Sequence, residues 1–318
     1  MIFITGSTGF VGSSVVEHLL TSGHNVRACS RQRNKSFPSS VELIATGHLS
    51  ESTDWHQALQ DIDVVIHTAA RVHIMDDSVT DPLAEFREVN TAGTLNLARQ
   101  AANAGVKRFI FISSIKVNGE MTTLDQPFKP DDTFVPADPY GLSKYEAEQG
   151  LLAIAKETGL EVVIIRPPLV YGPGVKANFA SMIKWVNKGI PLPLGAINNK
   201  RSLVALDNLV SFIIHCIDHP KADNDVFLIS DGEDVSTTEL LQKVANALDK
   251  KSRLIPVSVG LMTFVAKLLG KGAVANRLFD NLQVDSSKAR DLLGWKPAIT
   301  MDEQLKKTVQ AYLSTKDD

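Results

Sequence analysis

The chain has almost no cysteine. Two residues in 318, Cys29 and Cys216, cannot build a disulfide scaffold, and Cys29 stands inside an apolar run, so both read as reduced core thiols. A long uninterrupted apolar run is missing as well. The stretch Leu254 to Gly270 is broken by Lys267 and falls short of the roughly 20 residues that a membrane-crossing helix needs. It reads as a packed amphipathic helix, with association at a membrane surface as the alternative. Charge of one sign is absent: 33 Lys and Arg against 36 Asp and Glu leave a net −3, which gives no reason to expect nucleic acid or an acidic membrane as partner. There is no internal repeat, low-complexity tract or long charge block, and the pair Lys250-Lys251 reads as solvated surface. His67, His73 and His215 fall on different elements without ligand spacing or paired carboxylates, so no metal site is expected. A first strand beginning at Ile2 would leave no room for a signal or transit segment, and a cytoplasmic location is the expectation.

What is present is a regular alternation. With 44% hydrophobic residues the chain has ample material for a core. Short apolar runs at Ile2-Phe3-Ile4, Asn25 to Cys29, Val64 to His67, Arg108 to Ser113 and Val162 to Arg166 alternate with helical patterns near Val11 to Thr21, Leu83 to Ala104 and from Tyr140 onward. Unbroken apolar strands alternating with helices imply a parallel sheet covered on both faces. From Pro167 the texture changes to proline- and glycine-punctuated segments. The expected division is therefore a dinucleotide-binding unit over 1–166 and a mainly substrate-facing unit over 167–318, some of whose segments return to the main sheet.

Three groups of residues carry chemistry. Gly6-Ser7-Thr8-Gly9-Phe10-Val11-Gly12 lies between the first strand and the first helix, where small residues permit a tight turn and let a diphosphate approach backbone N–H groups at a helix N-terminus. Tyr140 and Lys144 are four residues apart after Asp138-Pro139, so both project from one helix face. A lysine charge beside a phenol favours the tyrosinate and draws its pKa down from about 10. Ser113 and Ser114 close the strand upstream.

Gly6, Gly9, Gly12, Asn90, Ser113-Ser114, Tyr140 and Lys144 stand in the order and spacing of the extended short-chain dehydrogenase/reductases. The chain resembles their NAD-dependent epimerase/dehydratase branch, which acts on nucleotide sugars. The likeness includes His67-Thr68-Ala69-Ala70 and Arg166-Pro167-Pro168-Leu169-Val170-Tyr171-Gly172-Pro173-Gly174 and spans nearly the whole length. It implies an α/β fold: a Rossmann-type doubly wound parallel sheet with a smaller C-terminal substrate domain. It also implies Ser114, Tyr140 and Lys144 as catalytic residues. For cofactor contact it implies Gly6 through Gly12, Ala69, Tyr140 and Lys144; for the nucleotide sugar it implies Ser114, Asn178, Phe179, Arg201 and Arg277; Asn90 is the buried amide that steadies the site. A homodimer packed through the helices near 83–104 and 140–156 is common among such proteins.

Relatives that use NAD place an acidic residue at the end of the second strand. Here Ser30 is followed by Arg31 and Arg33, and a hydroxyl with a guanidinium would bind a 2′-phosphate that an aspartate would repel. NADP(H) is therefore the expected cofactor, with NAD(H) the alternative. That choice favours a one-way reductase of a UDP-4-keto-6-deoxy-N-acetylhexosamine, similar to those that make UDP-N-acetylquinovosamine. The alternatives are a UDP-hexose 4-epimerase acting on UDP-glucose or UDP-N-acetylglucosamine, and, in another class, a non-catalytic NADP-binding sensor.

Overall fold

The structure, a computed structural model, describes residues 1–30, 37–72, 81–270 and 272–314, without the side chains of 273, 274 and 277. Its centre is a seven-stranded parallel sheet. The strands are β1 (Ile2–Thr5), β2 (Val26–Ser30), β3 (Val41–Ala45), β4 (Val64–His67), β5 (Arg108–Ile112), β6 (Glu161–Arg166) and, after the short strands β7 (Leu169–Tyr171) and β8 (Arg201–Ala205), β9 (Asp225–Leu228). Their spatial order is β3-β2-β1-β4-β5-β6-β9. The chain winds outward from β1 to β3, then returns to the other side of β1 and winds outward again. β1 and β4 are thus neighbours at the point where the direction reverses, the place where ligands enter open α/β sheets.

The apolar strands are buried because both sheet faces are covered. Successive residues of a strand point to opposite faces, and β1 and β4 divide accordingly. Ile2, Ile4, Val64 and Ile66 join one cluster with Val15, Val16, Leu209 and Phe212, from α1 (Phe10–Thr21) and a later helix at Leu206–Asp218. Phe3, Val65, Phe109 and Phe111 join another with Leu97, Ala98, Leu151 and Ile154. Those last residues lie on two long helices. The first runs from α2 (Pro82–Phe86) through a π-helical turn at Arg87–Ala92 into α3 (Gly93–Asn103); the second is α4 (Pro139–Thr158). Gly105, with φ +81°, ends the first. Strand β3 is absent from the sequence reading because it is an edge strand with only Val41 buried and no continuous apolar run.

The rest of the chain builds a second, three-stranded sheet, β10 (Asp234–Val235), β8 and β7 in that order. It shares a core with α5 (Ala177–Asn187), α7 (Thr237–Ala247) and the last helix, α11 (Met301–Ser314), with α6 (Leu206–Asp218) leading back towards β9. The expectation of a packed amphipathic helix after Leu254 needs correction. Helix α8 (Val259–Leu268) forms, followed by α9 (Gly272–Phe279) and α10 (Ser287–Leu293), but α8 has no buried residue. Among the described residues no helix is long and apolar enough to cross a membrane.

Candidate active site

The glycine turn follows β1 directly. Gly6 adopts φ +68°, and a side chain there would start 2.6 Å from the Ala69 nitrogen and 2.7 Å from Thr68 Oγ1. Gly12 is tighter still: its missing Cβ would lie 2.2 Å from the Gly6 carbonyl oxygen, so α1 packs against the turn at a distance only glycine allows. Ser7 donates to the Cys29 carbonyl (2.6 Å) and ties the turn to β2. Gly9 caps α1 with no side-chain hydrogen bond of its own, which leaves the turn open beside the first N–H groups of the helix. That is a fitting cradle for the diphosphate of a dinucleotide. Phe10 and Val11 begin the helix, Thr8 stands half-buried before it, and Ala69 faces the turn from the end of β4. Ser30 is buried at the end of β2, whereas Arg31 and Arg33 fall outside the described residues.

Asp138 begins α4 by accepting from the Gly141 N–H (3.1 Å), and Pro139 takes the first helical position. This start puts Tyr140 at the mouth of the sheet, half-buried, with Phe86 edge-on at 5.8 Å and the Ser114 side chain close enough to act on its phenol. Ser114 itself caps the short turn Ile115–Val117. One turn on, Lys144 runs inward: Nζ donates to the Ile112 carbonyl at 2.7 Å and lies 4.1 Å from the centre of the Phe111 ring. Ser114, Tyr140 and Lys144 therefore meet where β5 ends.

The electrostatics differ from what the Tyr–Lys spacing implies. Burial pushes the Tyr140 phenol up to about 12, with the neighbouring Ser114 side chain opposing and the Asp138 charge adding to the rise. Burial also pushes Lys144 down to about 7, with Glu148 opposing, so its charge is only partly present at neutral pH. Desolvation is the largest cause at both groups, and it favours the protonated phenol.

A buried network holds these groups in place. Arg166, at the end of β6, donates Nη2 and Nε to Glu148 on α4 at 2.5 and 3.0 Å, and Nη1 to Asn118 Oδ1 at 2.9 Å. Ser113 donates to the same Glu148 carboxylate. The carboxylate thus joins β5, α4 and β6 directly beneath the Ser114 loop. Sequence reasoning passed over Glu148 and Asn118; Glu148 lies one further helical turn beyond Lys144, and that spacing was the available signal. Asn90 sits in the π-helical turn. It donates to the Arg71 carbonyl (3.0 Å), accepts from the Arg71 N–H (2.8 Å) and donates to Ser143 (3.1 Å).

The residues expected to face a nucleotide sugar are distributed unevenly. Asn178 is exposed in the first turn of α5, while Phe179 is buried and stacks on Tyr171 at 5.5 Å. Tyr171 in turn donates to Asp231 (2.7 Å), so this ring pair belongs to the core of the smaller sheet. Arg201 is half-buried and donates to the Asp280 carbonyl at 3.0 Å. The side chain of Arg277 lies outside the described residues. His67 is a core residue, hydrogen-bonded to Thr5 (2.6 Å) and Thr94 (2.9 Å) and stacked on Phe111.

The reversal at β1 and β4, with a glycine turn opening α1, places the chain among enzymes of the extended short-chain dehydrogenase/reductase fold. Its residues 2–230 match the NAD dependent epimerase/dehydratase family. Over 315 residues it is 54% identical to a UDP-glucose 4-epimerase of Vibrio cholerae, covering 98% of this chain and 95% of that protein. It is 28% identical to the N-acetyl-alpha-D-glucosaminyl-diphospho-ditrans,octacis-undecaprenol 4-epimerase of Escherichia coli O157:H7, covering 97% and 94%. Among solved structures, MoeE5 in complex with UDP-glucose and NAD aligns over 99% of both chains, with a TM-score of 0.78 and 25% identity. The chain belongs to the NAD-dependent epimerase/dehydratase family, as a nucleotide-sugar epimerase/dehydratase-like enzyme. Its structural neighbours hold NAD. The expected NADP preference gains no support from them, and Arg31, on which it leaned, lies outside the described residues.

Proposed function

We propose that this enzyme is a UDP-hexose 4-epimerase that keeps NAD bound, with Ser114, Tyr140 and Lys144 as its catalytic residues. The observation that carries the reading is the 54% identity to a UDP-glucose 4-epimerase across almost the whole of both chains. It moves the weight from the reductase expected on Ser30 and Arg31 to the epimerase. The geometry supports the chemistry: a tyrosine and a serine side chain brought together at the mouth of the sheet, above a buried lysine.

In this reading Tyr140 takes the proton of the sugar 4-hydroxyl as C4 gives up a hydride. It returns the proton once the 4-keto sugar has presented its other face. Ser114 hydrogen-bonds the same oxygen and stabilises the charge that develops there. NAD held by the glycine turn would supply the hydride acceptor and donor, and the positive charge of its oxidised ring would oppose the upward shift of the tyrosine. Gly6 through Gly12 and Ala69 would hold the cofactor, with Lys144 on its ribose, and Asn178 and Arg201 would lie towards the nucleotide sugar. Residues 1–166 would carry the cofactor and 167–318 mainly the substrate, in a homodimer packed through α3 and α4.

The test is interconversion of UDP-glucose and UDP-galactose, run beside UDP-N-acetylglucosamine, with no cofactor added. Turnover from the purified protein, with NAD released on denaturation, is the expected result. Stoichiometric oxidation of NADPH by a UDP-4-keto-6-deoxy sugar, with no interconversion of either hexose, would restore the reductase.

A further inference from the structure

Helix α8 faces the wrong way for a core helix. Leu261, Phe264, Val265, Leu268 and Leu269 follow the i, i+3, i+4, i+7, i+8 spacing of one helix face, and they are 56%, 61%, 44%, 72% and 67% exposed. The half-buried side carries Met262, Thr263 and Ala266 instead. An apolar stripe of this kind ordinarily lies against the body of the protein, and here it points outward.

The surroundings of the stripe identify what fits it. Residues 250–270 hold Lys250, Lys251, Arg253 and Lys267 and no Asp or Glu; residues 172–206 hold five Lys and Arg and likewise no acid, in a chain of net charge −3. These two segments are joined. Leu192 and Ile255 exchange backbone hydrogen bonds with Arg253 and Leu192 respectively, and Lys250 reaches Asn187 at the end of α5. On α5 and just beyond it Lys184, Trp185, Lys188 and Ile190 are exposed. Lys200 is paired with Asp125 and Asp280 acts on Arg201, but Lys184, Lys188, Lys250, Lys251, Arg253 and Lys267 form no ion pair among the described residues. Leucine, phenylalanine and tryptophan among such cations are the composition of a surface that lies in the headgroup region of an acidic bilayer. A second copy of the chain suits it less, since a two-fold contact through this face would set the same cations against each other.

We propose that α8, with the cationic end of α5 and the 250–255 segment, docks this enzyme on an anionic phospholipid surface without crossing it. The proposal is independent of the sugar the enzyme acts on.

Sedimentation of the full-length protein with vesicles tests it. Vesicles of phosphatidylglycerol and phosphatidylcholine should carry the protein down, and pure phosphatidylcholine should carry down far less. The variant Phe264→Ser/Leu268→Ser should lower binding at least about tenfold, because each side chain gives up most of its apolar transfer. Lys251→Glu/Lys267→Glu should lower binding to the anionic vesicles by about tenfold or more and leave binding to phosphatidylcholine unchanged. All four residues are exposed and outside the site, so thermal unfolding and sugar turnover in solution should match the parent protein. Absence of sedimentation at low salt overturns the proposal. So does an oligomer that Phe264→Ser/Leu268→Ser dissociates while vesicle binding stays nil, which would assign the stripe to a second copy.

Discussion

Replacing Glu148 by Gln should cost more stability than any change at the exposed face of α4. The side chains of Glu148 and Arg166 are 1% and 7% exposed, and the guanidinium meets the carboxylate through both Nη2 and Nε. Taking the charge from one partner of a buried pair leaves the other uncompensated, at about 3–5 kcal/mol. Here Asn118 and the Pro130 carbonyl still accept from Arg166, and glutamine keeps one acceptor, so the loss should fall near 3 kcal/mol. That is roughly a hundredfold or more in the unfolding equilibrium. Glu148→Asp keeps the charge but withdraws it by one methylene and should fall between the two. Urea unfolding of the purified protein, followed by both fluorescence and circular dichroism because a chain of this length need not unfold in one step, measures the difference. A Glu148→Gln protein within about 1 kcal/mol of the parent would refute the claim that this carboxylate holds β5, α4 and β6 together.

Tyr140→Phe should lower kcat by about 10²–10⁴, the usual contribution of a positioned acid–base group, while NAD affinity by calorimetry changes little; near-normal turnover would remove Tyr140 from the mechanism. Gly6→Ala should weaken NAD binding by at least about tenfold, since φ +68° and an atom 2.6 Å away force the turn to shift; an unchanged dissociation constant would count against the cradle. Burial lowers the His67 pKa from 6.5 to about 3. Between those values the unfolded chain binds a proton that the folded one does not, so stability should fall as pH falls through that window. His67→Gln should flatten this acid slope, and parallel pH profiles for the two proteins would show that another group sets it.

The parts of the fold that could be read from the sequence are those where one physical rule acts alone. Val64 to His67 is apolar because both sheet faces are covered, and Asp138-Pro139 starts a helix whatever surrounds it. β3 was missed because an edge strand buries one residue and shows no run. Long-range partners left no local trace: Glu148 meets Ser113 and Arg166 only once β5, β6 and α4 are assembled. Phe179 could be an open contact or a core residue by sequence, and only the position of Tyr171 makes it the second. Spacing reveals a neighbour's charge and not the depth at which both groups are buried, and burial is what raises the Tyr140 phenol and lowers Lys144.

The π-helical turn at Arg87–Ala92 sets a phase. An α-helix advances about 100° per residue, so one extra residue in a single turn rotates everything before it relative to everything after it by that amount. Before the turn, Phe86 is aimed at Tyr140; after it, Leu97, Ala98 and Ala101 are aimed at the sheet. Deleting one residue between Arg87 and Ala92 would leave a more regular helix, yet one of its two halves would turn away from its target, and the phase of Asn90 against Arg71 would be lost with it. The irregular turn thus works as an angular coupling between catalytic cleft and core, and the length of this segment is as constrained as its composition.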